Sequence, residues 1–275
     1  MARHPLAMAS GIMPDATPVD LVECAAVAGF DYGGMWIEPA DWSDATTRAV
    51  KAALAATGLP LLDVEVVWIK PGPADPAHDR IVDIGMELGA RNLLCVSSDP
   101  DAAATVAKLA RLSERAGSAI RVNLEFGLFT EVKTIDQASA MVAEVDHPAM
   151  GLLIDALHWT RSGGTLAQVA AVPPQWLNYV QLCDAPAPGA DPVDPGAILT
   201  EAIDGRMPLG EGGLPLGPLL AAMPAGLPIA VEERSKALRE SWPDLRERAT
   251  RLYATSRQWL DQWSEGQAAP AHSRR

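Results

Sequence analysis

The sequence contains little cysteine, little positive charge and no long apolar run. Its three cysteines, Cys24, Cys95 and Cys183, are odd in number and lack the spacing of a metal cluster, so we expect buried thiols in a reducing cytosol. No stretch reaches the roughly 18 to 20 apolar residues that cross a bilayer, and the first residues lack the pattern of a signal peptide. We therefore expect a soluble, cytoplasmic protein without a membrane partner.

The charge is strongly negative, because 35 acidic residues outnumber 22 basic ones and give a formal net charge of −13 at pH 7. Such a surface repels a phosphate backbone, so nucleic acid is not an expected partner. A small-molecule substrate is compatible with this charge, since local basic groups can outweigh the overall field. A homo-oligomer is also compatible with the sequence. The 275 residues, 48% of them hydrophobic, suit one α/β barrel, which typically needs about 250 residues.

A Gly-rich nucleotide loop is also missing, because residues 10–14, which follow the first apolar run, lack the dinucleotide fingerprint. Instead, short apolar runs alternate with amphipathic segments, several of which begin near a proline and end at a glycine, as residues 18–29 do. The predicted strands are residues 6–10, 32–37, 61–68, 91–97, 121–126, 151–155, 178–183 and 228–232.

Eight strands that alternate with helices predict an α/β fold. We expect a single-domain (β/α)₈ TIM barrel over residues 1–264, in preference to an open doubly wound sheet. Residues 265–275 are expected to form a flexible C-terminal tail.

Oxygen-bearing side chains stand at the ends of four successive predicted strands. Glu125 ends the fifth, Asp155 ends the sixth with His158 three residues later, Gln181 lies in the seventh, and Glu232 ends the eighth. Catalytic groups of such barrels lie at the carboxyl ends of the strands. Charged groups within apolar strands are costly unless they are paired or bound to a cation. A lone acid at such a place commonly caps a helix or forms an ion pair, but four in succession indicate one divalent metal site.

The order Glu, Asp-x-x-His, Gln-x-x-Asp and Glu on successive strands resembles the xylose-isomerase-like TIM barrel superfamily. That superfamily includes sugar phosphate isomerases and epimerases and AP endonuclease family 2. The resemblance implies that Glu125, Asp155, Gln181 and Glu232 are the metal ligands. It also implies that Glu125, Glu232 and His158 are catalytic, with His158 in contact with the substrate as an acid/base or orienting group.

Gln181 departs from the superfamily pattern, in which most members have histidine at this position. An all-oxygen site suits Mg²⁺ or Mn²⁺ better than Zn²⁺ or Co²⁺, which stay open as alternatives. The string Gln-Leu-Cys-Asp-Ala-Pro that begins at Gln181 is locally similar to bacterial 3-dehydroshikimate dehydratases. The resemblance therefore implies one divalent ion and leaves the reaction open.

Further residues are candidates for substrate binding. Arg161 and Arg206 are predicted on loops at the barrel mouth, where each could bind a carboxylate or phosphate through two hydrogen bonds or remain a solvated surface arginine. Glu65, inside the third strand, is a pocket acid or a core acid. Asp184 is expected to orient neighbouring backbone or a ligand rather than to touch metal. The tryptophans that either wall a pocket or pack in the core are Trp159, Trp36, Trp42 and Trp68.

The expected chemistry begins with removal of a proton next to a carbonyl that the metal polarises. Return of the proton to the neighbouring carbon or to the opposite face would make the protein an isomerase or epimerase of a sugar-like hydroxy-ketone in carbohydrate metabolism, which is the first interpretation. Loss of a β-hydroxyl would make it a dehydratase, a lyase of the 3-dehydroshikimate dehydratase type. A non-catalytic ligand-binding barrel is the alternative from another class. A DNA-repair role like that of endonuclease IV is disfavoured by the five histidines and the acidic charge.

Overall fold

Eight parallel strands close into a barrel in the computed structural model, which describes residues 3–268. The strands are β1 (Leu6–Met8), β2 (Tyr32–Trp36), β3 (Leu61–Ile69), β4 (Asn92–Ser97), β5 (Arg121–Glu125), β6 (Met150–Asp155), β7 (Leu177–Leu182) and β8 (Ile229–Val231). Each strand pairs with its neighbours in chain order, and β8 pairs with β1 in parallel, which closes the sheet. The predicted (β/α)₈ barrel is confirmed, and each strand overlaps the one predicted at its position.

Helices follow the strands and cover the outside of the barrel. They are α1 (Pro18–Ala28), α2 (Asp44–Thr57), α3 (Pro76–Leu88), α4 (Ala102–Ala116), α5 (Ile135–Val145), α6 (Ala156–Arg161), α7 (Leu166–Ala171), α8 (Pro195–Asp204), α9 (Leu216–Ala221), α10 (Lys236–Ser241) and α11 (Leu245–Ala268). The first helix begins where the Thr17 hydroxyl accepts the Asp20 N–H and the Asp20 carboxylate accepts the Thr17 N–H. It ends at Gly29, whose φ of +95° is left-handed and costs glycine little.

Side chains of the strands alternate between two apolar layers. Leu6 and Met8 of β1 belong to the outer core between strands and helices, whereas Ala7 between them points into the barrel. The inward-facing cluster consists of Ala7, Ala9, Leu62, Leu94, Val96, Leu153, Tyr179 and Ala230. Because the alternation has a period of two residues, the next inward-facing positions lie at the carboxyl end of the barrel.

The last helix is longer than the sequence analysis expected. Helix α11 extends to Ala268 and so includes residues 265–268, which were assigned to the tail. The first proline after Leu245, the residue type that ends helices, is Pro270. Residues 269–275 of the predicted tail lie outside the described residues.

The three cysteines are buried and unbridged, as predicted. Within residues 3–268, no helix combines the length and the apolar character needed to cross a membrane.

An ion pair fastens the last helix to the loop that follows β1. The side chain of Arg248 in α11 is 1% exposed, and its Nη1 and Nη2 atoms lie 2.6 and 2.9 Å from the two carboxylate oxygens of Asp15. The same guanidinium donates to the carbonyl oxygens of Trp242 and Pro243. The hydrogen bonds from Arg248 hold the pKa of Asp15 below its ordinary value, because protonation of the carboxylate would weaken them.

Replacing Asp15 with alanine leaves the buried guanidinium of Arg248 without its carboxylate. We expect Asp15→Ala to lower the free energy of unfolding at pH 7 by about 1 to 3 kcal/mol, as measured by urea denaturation. Because the folded-state pKa of Asp15 is depressed, its stabilisation is complete above the unfolded-state pKa and is lost as the pH falls through the folded-state pKa. The difference between wild type and variant should therefore shrink in acid.

Asp44→Asn, at the exposed start of α2, is the control and should change the stability by about 0.5 kcal/mol or less. Equal unfolding free energies of Asp15→Ala and wild type at pH 7 would show that the ion pair contributes nothing.

Candidate active site

The carboxyl end of the barrel collects the residues that the sequence analysis selected as ligands. Asp155 stands two residues after the inward-facing Leu153 on β6, and Gln181 stands two residues after the inward-facing Tyr179 on β7. Asp155 and Gln181 are register partners and so lie side by side. Glu232 continues the inward-facing positions of β8. The alternation of the strands therefore points these side chains into one space.

Glu125, Asp155 and His158 form a compact group of metal-binding type. One ligand atom from each residue lies within 4.8 Å of the others, and all three residues are buried. Glu125 ends β5, Asp155 ends β6, and His158 lies in the first turn of α6. The group could hold a divalent metal ion. His158 is thus a further candidate ligand, a role that the sequence analysis did not give it.

Gln181 is fully buried without a hydrogen-bond partner. Its side chain is 0% exposed, and neither its Oε1 nor its Nε2 atom is hydrogen-bonded to any part of residues 3–268. An unpaired buried amide costs about 1 to 3 kcal/mol, and such groups are rare in folded proteins unless an ion, a ligand or water completes them. A carbonyl oxygen is a ligand that Mg²⁺ and Mn²⁺ accept. The orphaned amide therefore fits a place in a metal site.

Arg206 lies at the centre of the same site. Its Nη1 atom is 2.6 Å from Oδ2 of Asp155 and 3.1 Å from Oε2 of Glu232, and its Nη2 atom is 3.3 Å from Nε2 of His158. The residue is 3% exposed, and its Nε donates to the carbonyl oxygen of Ala202 in α8. The guanidinium therefore bridges two of the four predicted ligands, which is a more central position than the mouth-side loop that the sequence analysis expected.

The backbone around Arg206 is held against the barrel by two antiparallel bridges. Gly205 pairs with Ser235 after β8, and Met207 pairs with Asp184 after β7. The Asp184 carboxylate also accepts three backbone N–H groups, so it orients backbone, as expected. These contacts direct the Arg206 side chain inward.

The carboxylates of the site differ in their proton affinity. Burial raises the pKa of Glu125, and the neighbouring carboxylates of Asp155 and Glu232 raise it further. Burial also raises the pKa of Glu232 to about 8, although Arg206 opposes the shift. Burial acts against the charged form of Asp155 too, but the charges and hydrogen bonds of Arg206 and His158 together outweigh burial and lower the pKa. One guanidinium thus leaves two carboxylates uncompensated, and the charge of this donor set fits a divalent cation.

His158 carries a neutral imidazole within the site. Burial lowers the pKa of its imidazole to about 4, so the ring is uncharged near pH 7. Its backbone N–H donates to Oδ1 of Asp155 at 2.9 Å, and its ring packs 4.6 Å from that of Phe129 between centroids. A positioned neutral imidazole can accept a proton from a substrate.

A small cavity of about 80 Å³ opens beside these groups. Its charged and polar lining consists of Glu65, Glu125, His158, Arg206, Glu232 and Arg234. Glu65 lies in β3, and its Oε1 atom accepts hydrogen bonds from the N–H and the hydroxyl of Ser10 at 3.2 and 2.6 Å. Glu65 was predicted to be either a pocket acid or a core acid, and its place in the cavity lining favours the pocket acid.

Trp159 and Arg161, which were predicted to bind the substrate, are not among the described residues that line this cavity. Trp159 is 3% exposed in the outer hydrophobic core and is not among the described residues that line the cavity. It follows His158 by one position, about 100° around α6, and its indole packs directly against Gly164. The Nε and Nη2 atoms of Arg161 donate to both carboxylate oxygens of Glu201 at 2.9 and 2.7 Å. Arg161 is thus engaged in an ion pair at the edge of the site.

Arg234 lines the cavity, and the sequence analysis did not select it. It stands two residues after Glu232, so the period-two alternation, continued past the end of β8, is a signal that could have found it. Of the other tryptophans, Trp36 and Trp68 line the cavity, whereas Trp42 lines a neighbouring cleft.

The chain belongs to the xylose isomerase-like TIM barrel family, whose sequence model matches residues 22–263. The match spans every predicted ligand, so the resemblance drawn from the strand ends is confirmed at the level of the family.

Two curated relatives, both 3-dehydroshikimate dehydratases, are similar to part of this chain. The chain is 27% identical to a 3-dehydroshikimate dehydratase of Pseudomonas aeruginosa over 235 residues, which are 78% of this chain and 34% of that protein. It spans about a third of the length of the curated Pseudomonas dehydratases that it matches.

Solved structures share the fold across the whole barrel. The IOLI protein, solved with a bound zinc atom, has a TM-score of 0.76 at 16% identity, with 95% of this chain and 98% of that chain covered. A D-allulose 3-epimerase from Methylomonas sp. has a TM-score of 0.67 at 19% identity, with 96% and 100% covered.

Gln181→Leu removes the amide oxygen and keeps much of the side-chain volume. If that oxygen is a ligand, we expect the variant to fold and to bind Mn²⁺ at least about tenfold more weakly than wild type, as measured by calorimetric titration of EDTA-treated protein. Gln181→His should retain metal, with its preference moved toward Zn²⁺.

Gln262→Leu, on the exposed face of α11, is the matched control and should leave the Mn²⁺ affinity unchanged. The same affinity in Gln181→Leu and wild type would place Gln181 outside the metal site.

Proposed function

We propose that this protein is a divalent-metal-dependent enzyme that removes a proton from the carbon next to a carbonyl group of a small hydroxylated substrate. The observation that carries the proposal is the convergence of four oxygen-bearing side chains with His158 and Arg206 at one end of the barrel. Glu125, Asp155 and Gln181, together with Glu232, would hold the ion, and an all-oxygen set favours Mg²⁺ or Mn²⁺. When bound, the ion supplies Lewis-acid polarisation of the carbonyl.

The side chains supply proton transfer and charge. An N–H of Arg206 faces Nε2 of His158 at 3.3 Å, so Nε2 carries the lone pair and Nδ1 the proton. A substrate oxygen that takes the hydrogen bond of Arg206 frees this lone pair to accept the substrate proton. The guanidinium then stabilises the negative charge that develops on the substrate oxygen. Glu125 and Glu232 are the alternative bases.

The first outcome of this step is isomerisation or epimerisation of a sugar-like hydroxy-ketone. Glu125 at the end of β5 and Glu232 after β8 enter the cavity from either side of β6 and β7. Acid/base groups on two sides of a substrate let a proton leave from one face and return to the other, or to the neighbouring carbon. This arrangement supports an isomerase or epimerase as the first assignment.

The second outcome is loss of water, and a separate observation favours it. Both sequence relatives are 3-dehydroshikimate dehydratases, and the string that begins at Gln181 resembles sequences of that type. In this route the proton taken by His158 is passed to a leaving β-hydroxyl. Water departs, and a carbon–carbon double bond forms next to the carbonyl. The protein would then be a carbon–oxygen lyase.

Both outcomes begin with the same proton removal, which exchange with solvent detects. The protein loaded with Mg²⁺ or Mn²⁺ is incubated in D₂O with 3-dehydroshikimate or with ketohexoses, and NMR follows deuterium uptake and product. We expect exchange or turnover with one of these classes. We expect His158→Asn to slow it by about 10² to 10⁴ with little change in metal affinity, because the proposal assigns the ion to the four oxygen ligands and His158 to proton transfer.

His78→Asn, in α3 away from the cavity, is the control and should react as wild type. A metal-binding protein that shows neither exchange nor product with either class would contradict the proposal and favour the ligand-binding barrel. Hydrolysis of an ester as the reaction would contradict both outcomes.

A further inference from the structure

A second cavity lies between the loops that follow β1 and β2. Its volume is about 410 Å³, compared with about 80 Å³ for the cavity beside the ligands. We call it the β1–β2 cleft. Its walls are mostly apolar and include Met13 and two indole rings, Trp36 at the end of β2 and Trp42 before α2. Trp42 is fixed, since its Nε1 donates to the hydroxyl of Thr47 at 2.8 Å. The cleft therefore has the apolar, preformed character of a small-molecule site.

The two cavities meet at Trp36 and Arg234, which line both of them. Trp36 is 39% exposed, so one part of its indole is free to contact a ligand. A molecule with its reacting part beside Glu125 and His158 would pass these two side chains on its way into the β1–β2 cleft.

Arg234 presents an unpaired positive charge at this junction. Arg161, Arg206 and Arg239 form ion pairs nearby, whereas no ion pair among residues 3–268 includes Arg234. Its buried Nε–H likewise has no acceptor in this part of the chain. The aliphatic part of the Arg234 side chain packs against Gly11, where an added Cβ would stand 3.1 Å from Cδ of Arg234. Glu232 feels the charge of Arg234 only at longer range. A partly desolvated guanidinium that no carboxylate contacts suits a two-pronged oxyanion ligand.

The outer part of the β1–β2 cleft has the opposite charge. Glu38 and Asp41 line it, and both are exposed. These carboxylates repel a second anionic group on a ligand. The cleft therefore suits a molecule with one negative charge near Arg234 and an uncharged, apolar remainder.

We propose that the β1–β2 cleft binds a flat apolar group of the substrate and that Arg234 binds a carboxylate of the same molecule. The substrate is then a hydroxy-carbonyl compound whose sugar-like reacting part carries an apolar, carboxylate-bearing extension. Ketohexoses and 3-dehydroshikimate are smaller compounds that share this kind of reacting part. This assignment rests on the proposed function for the reacting part, but binding in the cleft requires neither metal nor turnover. Trp36 packs on the flat group, and Arg234 donates two hydrogen bonds to the carboxylate.

The test uses 2-naphthoate as the probe and neutral 2-naphthamide as its uncharged analogue. Calorimetric titration of the full chain, both Mg²⁺-loaded and EDTA-treated, should show naphthoate binding with the same affinity in the two forms. Arg234→Gln should weaken naphthoate about tenfold or more and change naphthamide less than about twofold. Trp36→Ala, at a partly exposed position that tolerates truncation, should weaken both probes.

Arg48→Gln, on the exposed face of α2, removes the same charge away from the cleft and should change neither affinity. Three results would overturn the proposal: no naphthoate binding at millimolar concentration, binding that survives both Arg234→Gln and Trp36→Ala, or equal losses in Arg234→Gln and Arg48→Gln. Because the EDTA-treated protein is measured as well, a failure of the metal-dependent reaction leaves this test intact.

Discussion

The ion pair between Asp155 and Arg206 organises the carboxyl end of the barrel. One oxygen of Asp155 accepts the N–H of His158 at the start of α6, and the other binds Arg206, which in turn contacts Glu232. Several buried carboxylates close together are unfavourable unless cations and hydrogen bonds compensate them. Arg206 compensates part of this charge, and protons or a metal ion must compensate the rest. The affinity of the site for the proposed metal ion would therefore depend on the proton affinity of its carboxylates.

The parts of the fold that follow from local patterning could be predicted from the sequence. Buried parallel strands are short apolar runs, and the period-two alternation places Asp155, Gln181 and Glu232 inward once the strands are assigned. The position of Arg206 could not be predicted, because it depends on backbone bridges between segments far apart in the chain. The sequence did not decide whether Trp159 lines the pocket or packs in the core. One residue along a short helix is enough to turn a side chain from the site to the core.

The proposed assignments place the reaction and the binding of the substrate in different parts of the fold. The residues proposed for chemistry lie on or next to strands, whose register fixes them, whereas the β1–β2 cleft is built by loops. Barrels of this type keep reactive groups at strand ends and vary the loops that bind substrates. This division explains how relatives with one fold can carry dehydratase and epimerase activities. It also explains why the strand-end residues alone do not name the substrate.

Anomalous diffraction from a crystal soaked in Mn²⁺ tests the central claim most directly, which is that the ends of β5 to β8 hold one divalent ion. We predict one strong peak with oxygens of Glu125, Asp155, Gln181 and Glu232 about 2.0 to 2.6 Å away. The Arg206 guanidinium should then give up at least one of its two carboxylate contacts. A peak elsewhere would contradict the account. The account would also be contradicted if saturating Mn²⁺ gave no peak at this site and Nη1 of Arg206 still contacted both Asp155 and Glu232.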